Sequence, residues 1–204
     1  MAEIGLFPLG LVLLPSERIP LHIFEPRYKE LIEECLEDDR EFGIVLADDD
    51  GVREIGTRAS VLEVLQRFDD GRLNIVAEGG ERFRVVALTE GRSFQTAQVE
   101  PLPDEDDPPG QTEVKRALRL FGRLVKLVET DIEVPRADSP RLSFEIAAHV
   151  DFGVKPKQEL LELRSERARL RKLAKLLEAA VTAIALEREV RERAATNGKV
   201  SSRR

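Results

Sequence analysis

Hydrophobic and polar positions change period once along this chain. Up to about residue 100 the apolar residues come in short or alternating runs broken by Gly, Asp and Pro, and beyond residue 112 they recur every three or four. The first pattern predicts strands and the second helices. Residues 4–14 are apolar but carry Pro8 and Gly10, which predicts a bent or broken strand that closes a barrel. From Pro15 to Phe24 two prolines forbid a helix interior, and Leu21, Ile23 and Phe24 favour extended chain. The pattern then switches: Tyr28, Leu31, Ile32, Cys35 and Leu36 form one stripe of a helix over 26–38, with Glu25 as its cap and Pro26 in its first turn.

Strand signals resume at 42–46 and 59–68, and Asp69-Asp70-Gly71-Arg72 is the clearest hairpin turn. On the return strand Leu73, Ile75 and Ala77 share one face, with Asn74 and Val76 opposite. Gly79-Gly80 is expected to interrupt it. Residues 82–88 open with alternating charged and apolar positions, and 94–99 make a last strand. Five or six short strands, with no room for crossover helices, predict a mainly antiparallel sheet or small barrel. Residues 104–111, acidic and rich in Pro, read as a surface linker with room for mobility. Helices are predicted at 112–129, after Pro140, from Pro156, and in one long run from Ser165 to about Ala194. That last helix either packs back across both parts or projects. The ending, 196–204, has no period and reads as a disordered tail.

Composition narrows the class. The chain has 204 residues, 42% hydrophobic and 35% charged, with no tryptophan and a formal charge of −7. Residues 1–110 carry 11 basic and 25 acidic side chains, and residues 111–204 carry 21 and 14. An acidic strand-rich part therefore precedes a basic helical one, and nucleic acid is not the expected partner. The single cysteine, Cys35, falls in a helical stripe and reads as a buried thiol. Residues 6–14 are too short to span a bilayer and follow no basic signal region, so the expected compartment is the cytoplasm.

Catalytic patterns are missing. There is no Gly-rich loop followed by Lys and Ser/Thr for a triphosphate, and no Gly-x-Ser-x-Gly elbow. His22 and His149 have no Cys or His at metal-ligand spacing. The three aspartates at 48–50 suggest calcium, but the spaced carboxylates and closing glutamate of a calcium loop do not follow, and a hairpin tip accounts for them. The expectation is a protein with no cofactor, no metal and no catalysis of its own.

The segments at 6–9, 14–15, 20–28, 42–46, 56–57, 70–74 and 82–84 resemble, in order and spacing, the signatures of the N-terminal, substrate-recognition domain of Lon-type ATP-dependent proteases. The Pro20-Leu21-His22-Ile23-Phe24-Glu25-Pro26-Arg27-Tyr28 segment is distinctive. The resemblance implies an α+β fold: a PUA-like β pseudo-barrel over 1–103 with an inserted helix at 26–38, then a helical bundle over 112–195 with a long C-terminal helix. The ATPase and Ser-Lys peptidase modules of complete Lon proteases are missing from these residues. What the resemblance implies is noncatalytic binding of unfolded or extended polypeptides, beside a separate ATP-dependent protease, by a monomer or weakly self-associating chain. Candidate binding or structural residues are Pro20, Leu21, His22, Ile23, Phe24, Glu25, Arg27 and Tyr28. Two alternatives stay open: an RNA-binding PUA-like module, and a scaffold or oligomerisation protein built on the long helix.

Overall fold

The computed structural model describes residues 2–197. Its strands are β1 (Ala2–Leu9), β2 (Arg18–Ile23), β3 (Phe42–Asp48), β4 (Gly51–Arg67), β5 (Leu73–Thr89) and β6 (Thr96–Pro101). Its helices are α1 (Pro26–Asp38), α2 (Gln111–Val128), α3 (Leu142–Ala147), α4 (Val154–Glu162) and α5 (Glu166–Asn197). The strand order is β2-β5-β4-β3-β1-β6, and β6 also pairs with β5. Five strands thus close on themselves, with β2 added along the outer edge of β5. Every pairing is antiparallel except β1 with β3.

Closure depends on how β5 shares its edges. One edge pairs with β4; the other is taken first by β2, through Leu73 to Glu78, and then by β6, from Phe83 on. Gly79-Gly80 lies between the two and does not end the strand, contrary to expectation. There the β1–β2 loop crosses the edge: Ser16 N–H donates to Gly79 O at 2.7 Å, and Gly79 N–H donates to Glu17 O at 2.8 Å. A Cβ on Gly79 would stand 2.2 Å from the Leu14 carbonyl oxygen, so the crossing needs glycine. The glycines mark a crossing and a bulge in a continuous strand.

Helix α1 has the predicted bounds and buries Tyr28, Leu31, Ile32 and Cys35. They pack on Phe7, Leu21, Ile23, Phe42, Leu73 and Ile75; each fully buried aliphatic side chain contributes about 2 kcal/mol. Inside the ring, Phe83 packs with Leu6, Val45, Ala97 and Val99. A third cluster joins the parts: Val12 and Leu14 from the β1–β2 loop and Leu46 from β3 pack with Phe121, Phe144, Leu161, Leu173 and Leu177 from the helical half.

A buried ionic cluster reinforces that joint. Arg82, the first charged position of the alternating 82–88 pattern, is 4% exposed. It donates to Leu161 O at 2.6 Å and Leu163 O at 2.7 Å, and pairs with Asp104. Arg169, fully buried, donates to Asp104 Oδ1 at 2.7 Å, to Glu166 Oε2 at 2.7 Å and to Ser143 Oγ at 3.0 Å. Both guanidinium groups lie over the Phe144 ring. Burial is tolerated because each charge keeps partners. Asp104 belongs to the segment read as a linker, and it is tied to the strands and to α5. Farther on, Asp107 accepts from Ser165 Oγ at 2.6 Å.

Helix α5 lies parallel to α2, as the pairs Glu113–Arg171, Arg116–Glu178 and Glu129–Arg188 require. It buries Leu170, Leu173, Leu177 and Val181, and also meets α3 and α4. Near the level where α2 ends, its Leu186 and, farther on, Val190 are exposed. The helix continues to Asn197, beyond the predicted end; the remainder of the predicted tail, 198–204, lies outside the described residues. No described helix is long and apolar enough to cross a membrane.

Candidate functional site

Successive strand residues point to opposite faces, and β2 divides the candidate residues accordingly. Leu21 and Ile23 are buried against α1. Pro20, His22 and Phe24 face outward, with Phe24 58% exposed. Glu25 occupies the N-cap position of α1 but makes no capping hydrogen bond with its side chain. Its carboxylate instead accepts from Arg27 Nε at 2.9 Å. Arg27 in turn lies 4.5 Å over the ring of Tyr28, which is buried with its centroid 4.1 Å from that of Phe7. Burial pushes the Tyr28 hydroxyl up from its ordinary value, and the nearby Arg27 charge opposes this without cancelling it. Leu21, Ile23 and Tyr28 hold the fold; His22 and Phe24 are available to a partner.

The outward residues are organised by neighbours that the sequence did not single out as candidates. His22 stacks on Phe24 at 5.8 Å and meets Phe68 edge-on at 6.2 Å. His22 Nδ1 donates to Asn74 Oδ1 at 2.6 Å, and Asn74 Nδ2 reaches Gln66 Oε1 at 3.4 Å. These three residues are in register across β2, β5 and β4, making a polar row over three strands. Two exposed leucines lie on the same strand β4, Leu65 next to Gln66 and Leu62 farther along. The pairing of β4 with β5 shifts register at each, so both are extra residues at bulges, which re-aim side chains.

The 69–72 turn supports Phe68 from below. Gly71 has φ +79°, the left-handed conformation that favours glycine. Arg72 lies 4.8 Å over the Phe68 ring, and its N–H and Nε both donate to Asp70. Those donors hold the Asp70 carboxyl below the usual range. Lys29 of α1 donates to Asp70 O at 2.7 Å, tying the turn to the helix. The face that results combines aromatic and aliphatic surface with a central row of amide and imidazole groups. That combination suits contact with side chains and main chain together.

β2 is also the open edge of the sheet, and Pro20 in its middle has no N–H to offer an added strand. Among the described residues no group of three or more His, Cys, Asp or Glu is placed to hold a metal. Cys35 is buried and its thiol is pushed up to about 11, chiefly by burial; a thiol so protonated at neutral pH is a poor nucleophile.

Comparison with known proteins agrees with this architecture. The family model described as the ATP-dependent protease La (LON) substrate-binding domain matches residues 3–179. Lon protease of Escherichia coli K12 is 28% identical over an alignment covering 94% of this chain and 26% of that protein. Lon protease of Rhizobium meliloti is 27% identical, covering 90% of this chain and 25% of that protein. The chain therefore spans about a quarter of the length of these relatives. The crystal structure of a Lon N-terminal domain protein from Xanthomonas campestris superposes with a TM-score of 0.68 at 26% identity, covering 85% of this chain and 97% of that one. The N-terminal domain of Mycobacterium avium complex Lon protease shares the fold at 16% identity, with a TM-score of 0.68 over 87% of this chain and 98% of that one. The fold is the expected PUA-like one, α+β with a long C-terminal helix, and the chain belongs to the family of Lon substrate-binding domains.

Proposed function

We propose that this chain is a noncatalytic receptor for unfolded or extended polypeptide segments, received on the outer face of β2, β5 and β4. The observation that carries this reading is Phe24: a large aromatic, 58% exposed, and held in place by His22 at its side. An aromatic anchor ordered before binding loses little entropy when a partner covers it. Leu62 and Leu65 of β4, in the same sheet, are exposed as well, and exposed apolar residues in patches mark interaction sites. The His22–Asn74–Gln66 row offers hydrogen bonds to the main chain of a segment lying across the strands. Pro20 makes strand addition along the β2 edge the weaker mode. The relatives are named as proteases, and the family model as their substrate-binding part. The reading therefore includes action in the cytoplasm beside a separate ATP-dependent protease that unfolds and cuts.

Amide shifts in NMR test it directly. Titration with reduced, carboxymethylated α-lactalbumin, a permanently unfolded chain, is expected to give saturable shifts centred on His22, Phe24, Leu65 and Asn74. Absence of saturable shifts on this face at several hundred micromolar ligand would sink the reading.

A further inference from the structure

Helix α2 carries Lys115, Arg119, Arg123 and Lys126 on one face, and all four are exposed. At 3.6 residues per turn they fall within an arc of about 80°, and at a rise of 1.5 Å the row is about 16.5 Å long. Among the described residues none of the four is ion-paired, whereas Arg116, to one side of the row, pairs with Glu178 of α5 at 2.8 Å. Glu129, beyond the end of the row, is taken by Arg188 of α5. Lys115 with Arg119, and Arg119 with Arg123, are like charges four residues apart, a spacing that destabilises a helix. The far end of α5 is built otherwise: there Glu187, Arg188, Glu189 and Arg191 mix the two signs, and Glu189 pairs with Arg193 one turn on.

Gly122 lies on the same face of α2. Glycine inside a helix is destabilising relative to alanine, yet a Cβ added here would have nothing within 4 Å. No contact among the described residues requires it. It leaves a notch in the side-chain layer in the middle of the cationic row, where the main chain of a partner can come close to the helix. Two local costs, like charge and an interior glycine, thus fall on one exposed face without compensation among the described residues. An anionic partner offsets the first and occupies the second.

The observations favour acidic polypeptide over nucleic acid. The aromatic residue of α2, Phe121, is 1% exposed, so the helix offers no ring beside the row on which a base could stack. Residues 1–110, with 11 basic and 25 acidic side chains, repel a long polyanion. Cations four residues apart stand about 6 Å apart along the axis, close to the roughly 6.6 Å between alternate residues of an extended chain.

We propose that the outer face of α2 binds an extended acidic polypeptide segment of about seven residues, its alternate carboxylates meeting Lys115, Arg119, Arg123 and Lys126 and its main chain passing over Gly122. The proposal rests on the preceding reading only for the class of ligand, and it uses a different face. It adds acidic charge to apolar content as a criterion by which polypeptides are recognised.

The test uses a labelled peptide, Glu-Thr-Glu-Thr-Glu-Thr-Glu, followed by fluorescence anisotropy and by NMR. Saturable amide shifts are expected over residues 115–126 and not at Phe24, with affinity at least about tenfold weaker in 0.3 M salt than at low salt, since the contacts are exposed and screened. Arg119→Glu sets an acid between Lys115 and Arg123; it is expected to raise the urea midpoint and to weaken the peptide at least about fivefold. Gly122→Leu fills the notch, and is likewise expected to raise the midpoint while weakening the peptide at least about threefold. Lower affinity joined to higher stability is a result that damage to the fold cannot produce. Absence of saturable shifts on α2 at millimolar peptide, or wild-type affinity in Arg119→Glu, would overturn the proposal and leave the row a solvated face. Tighter binding of oligothymidylate than of the peptide to the same residues would overturn it in favour of nucleic acid. None of these results touches the reading based on Phe24, which is followed at other residues with a ligand that carries large apolar side chains.

Discussion

An added methyl group at Gly79 would collide with a backbone oxygen, not with a side chain able to swing away. Gly79→Ala is therefore expected to lose about 2–3 kcal/mol, measured as a lower urea midpoint, by forcing the 14–17 crossing off β5. Cys35 makes a pH-dependent prediction. Burial raises its thiol from the ordinary 9.0 to about 11, so the folded chain keeps a proton that the unfolded chain releases. Its contribution to stability is full below pH 9 and declines between pH 9 and about 11. Cys35→Ala is expected to flatten that decline relative to wild type in urea unfolding at pH 8 and pH 10.5. That Leu21, Ile23 and Phe24 form extended chain was legible in the sequence because it rests on neighbours along the strand; the three read as core residues alike, and Phe24 is instead 58% exposed while Leu21 and Ile23 are buried. The burial of Arg82 was not, because its partners Asp104, Leu161 and Leu163 are distant in sequence and nothing local distinguishes a paired arginine from a solvated one.

Among elements, α1 was readable to its bounds, since Pro26 and a continuous apolar stripe are local signals. Gly79-Gly80 misled for the opposite reason: a glycine pair that breaks a strand and one that lets another segment cross look alike without the crossing chain. The segment after β6 shows the same gap between composition and contact. Its acidic residues suit a mobile linker, yet Asp104 is clamped by Arg82 and Arg169. Arg82→Ala leaves Asp104 paired with Arg169 but takes the donor from the buried Leu161 carbonyl, so it is expected to cost about 1–3 kcal/mol. Hydrogen exchange at 104–107 should rise before the barrel amides do; unchanged exchange there would show that Asp104 does not depend on the cluster. Helix α5 separates a core face from an exposed end. Leu177 is fully buried and Ile184 half-buried, so making them polar would unfold the helical part. Self-association is instead addressed by Leu186→Ser with Val190→Ser. Sedimentation is expected to show a monomer or weak association for wild type; a tight dimer abolished by that pair would contradict it.

At the scale of the molecule, the order of motifs indicated the fold, while the candidate face had to be assembled from three strands. His22 and Phe24 were legible as part of a motif. Their neighbours Leu65, Gln66, Phe68 and Asn74 were not, because bulges in β4 decide which of its residues stand beside β2 and leave no mark in a simple alternation. The Arg82–Asp104–Arg169 cluster ties the helical part to the strands. Central to the account is that exposed side chains on the sheet face, not the folded chain in general, provide affinity for unfolded polypeptide. The most direct measurement is fluorescence anisotropy of labelled carboxymethylated α-lactalbumin with wild type and with Phe24→Ser combined with Leu65→Ser, both positions being more than half exposed. Affinity is predicted to fall at least about tenfold, a loss of roughly 1.4 kcal/mol, with the urea midpoint unchanged; equal affinity in a variant that remains folded would contradict the account.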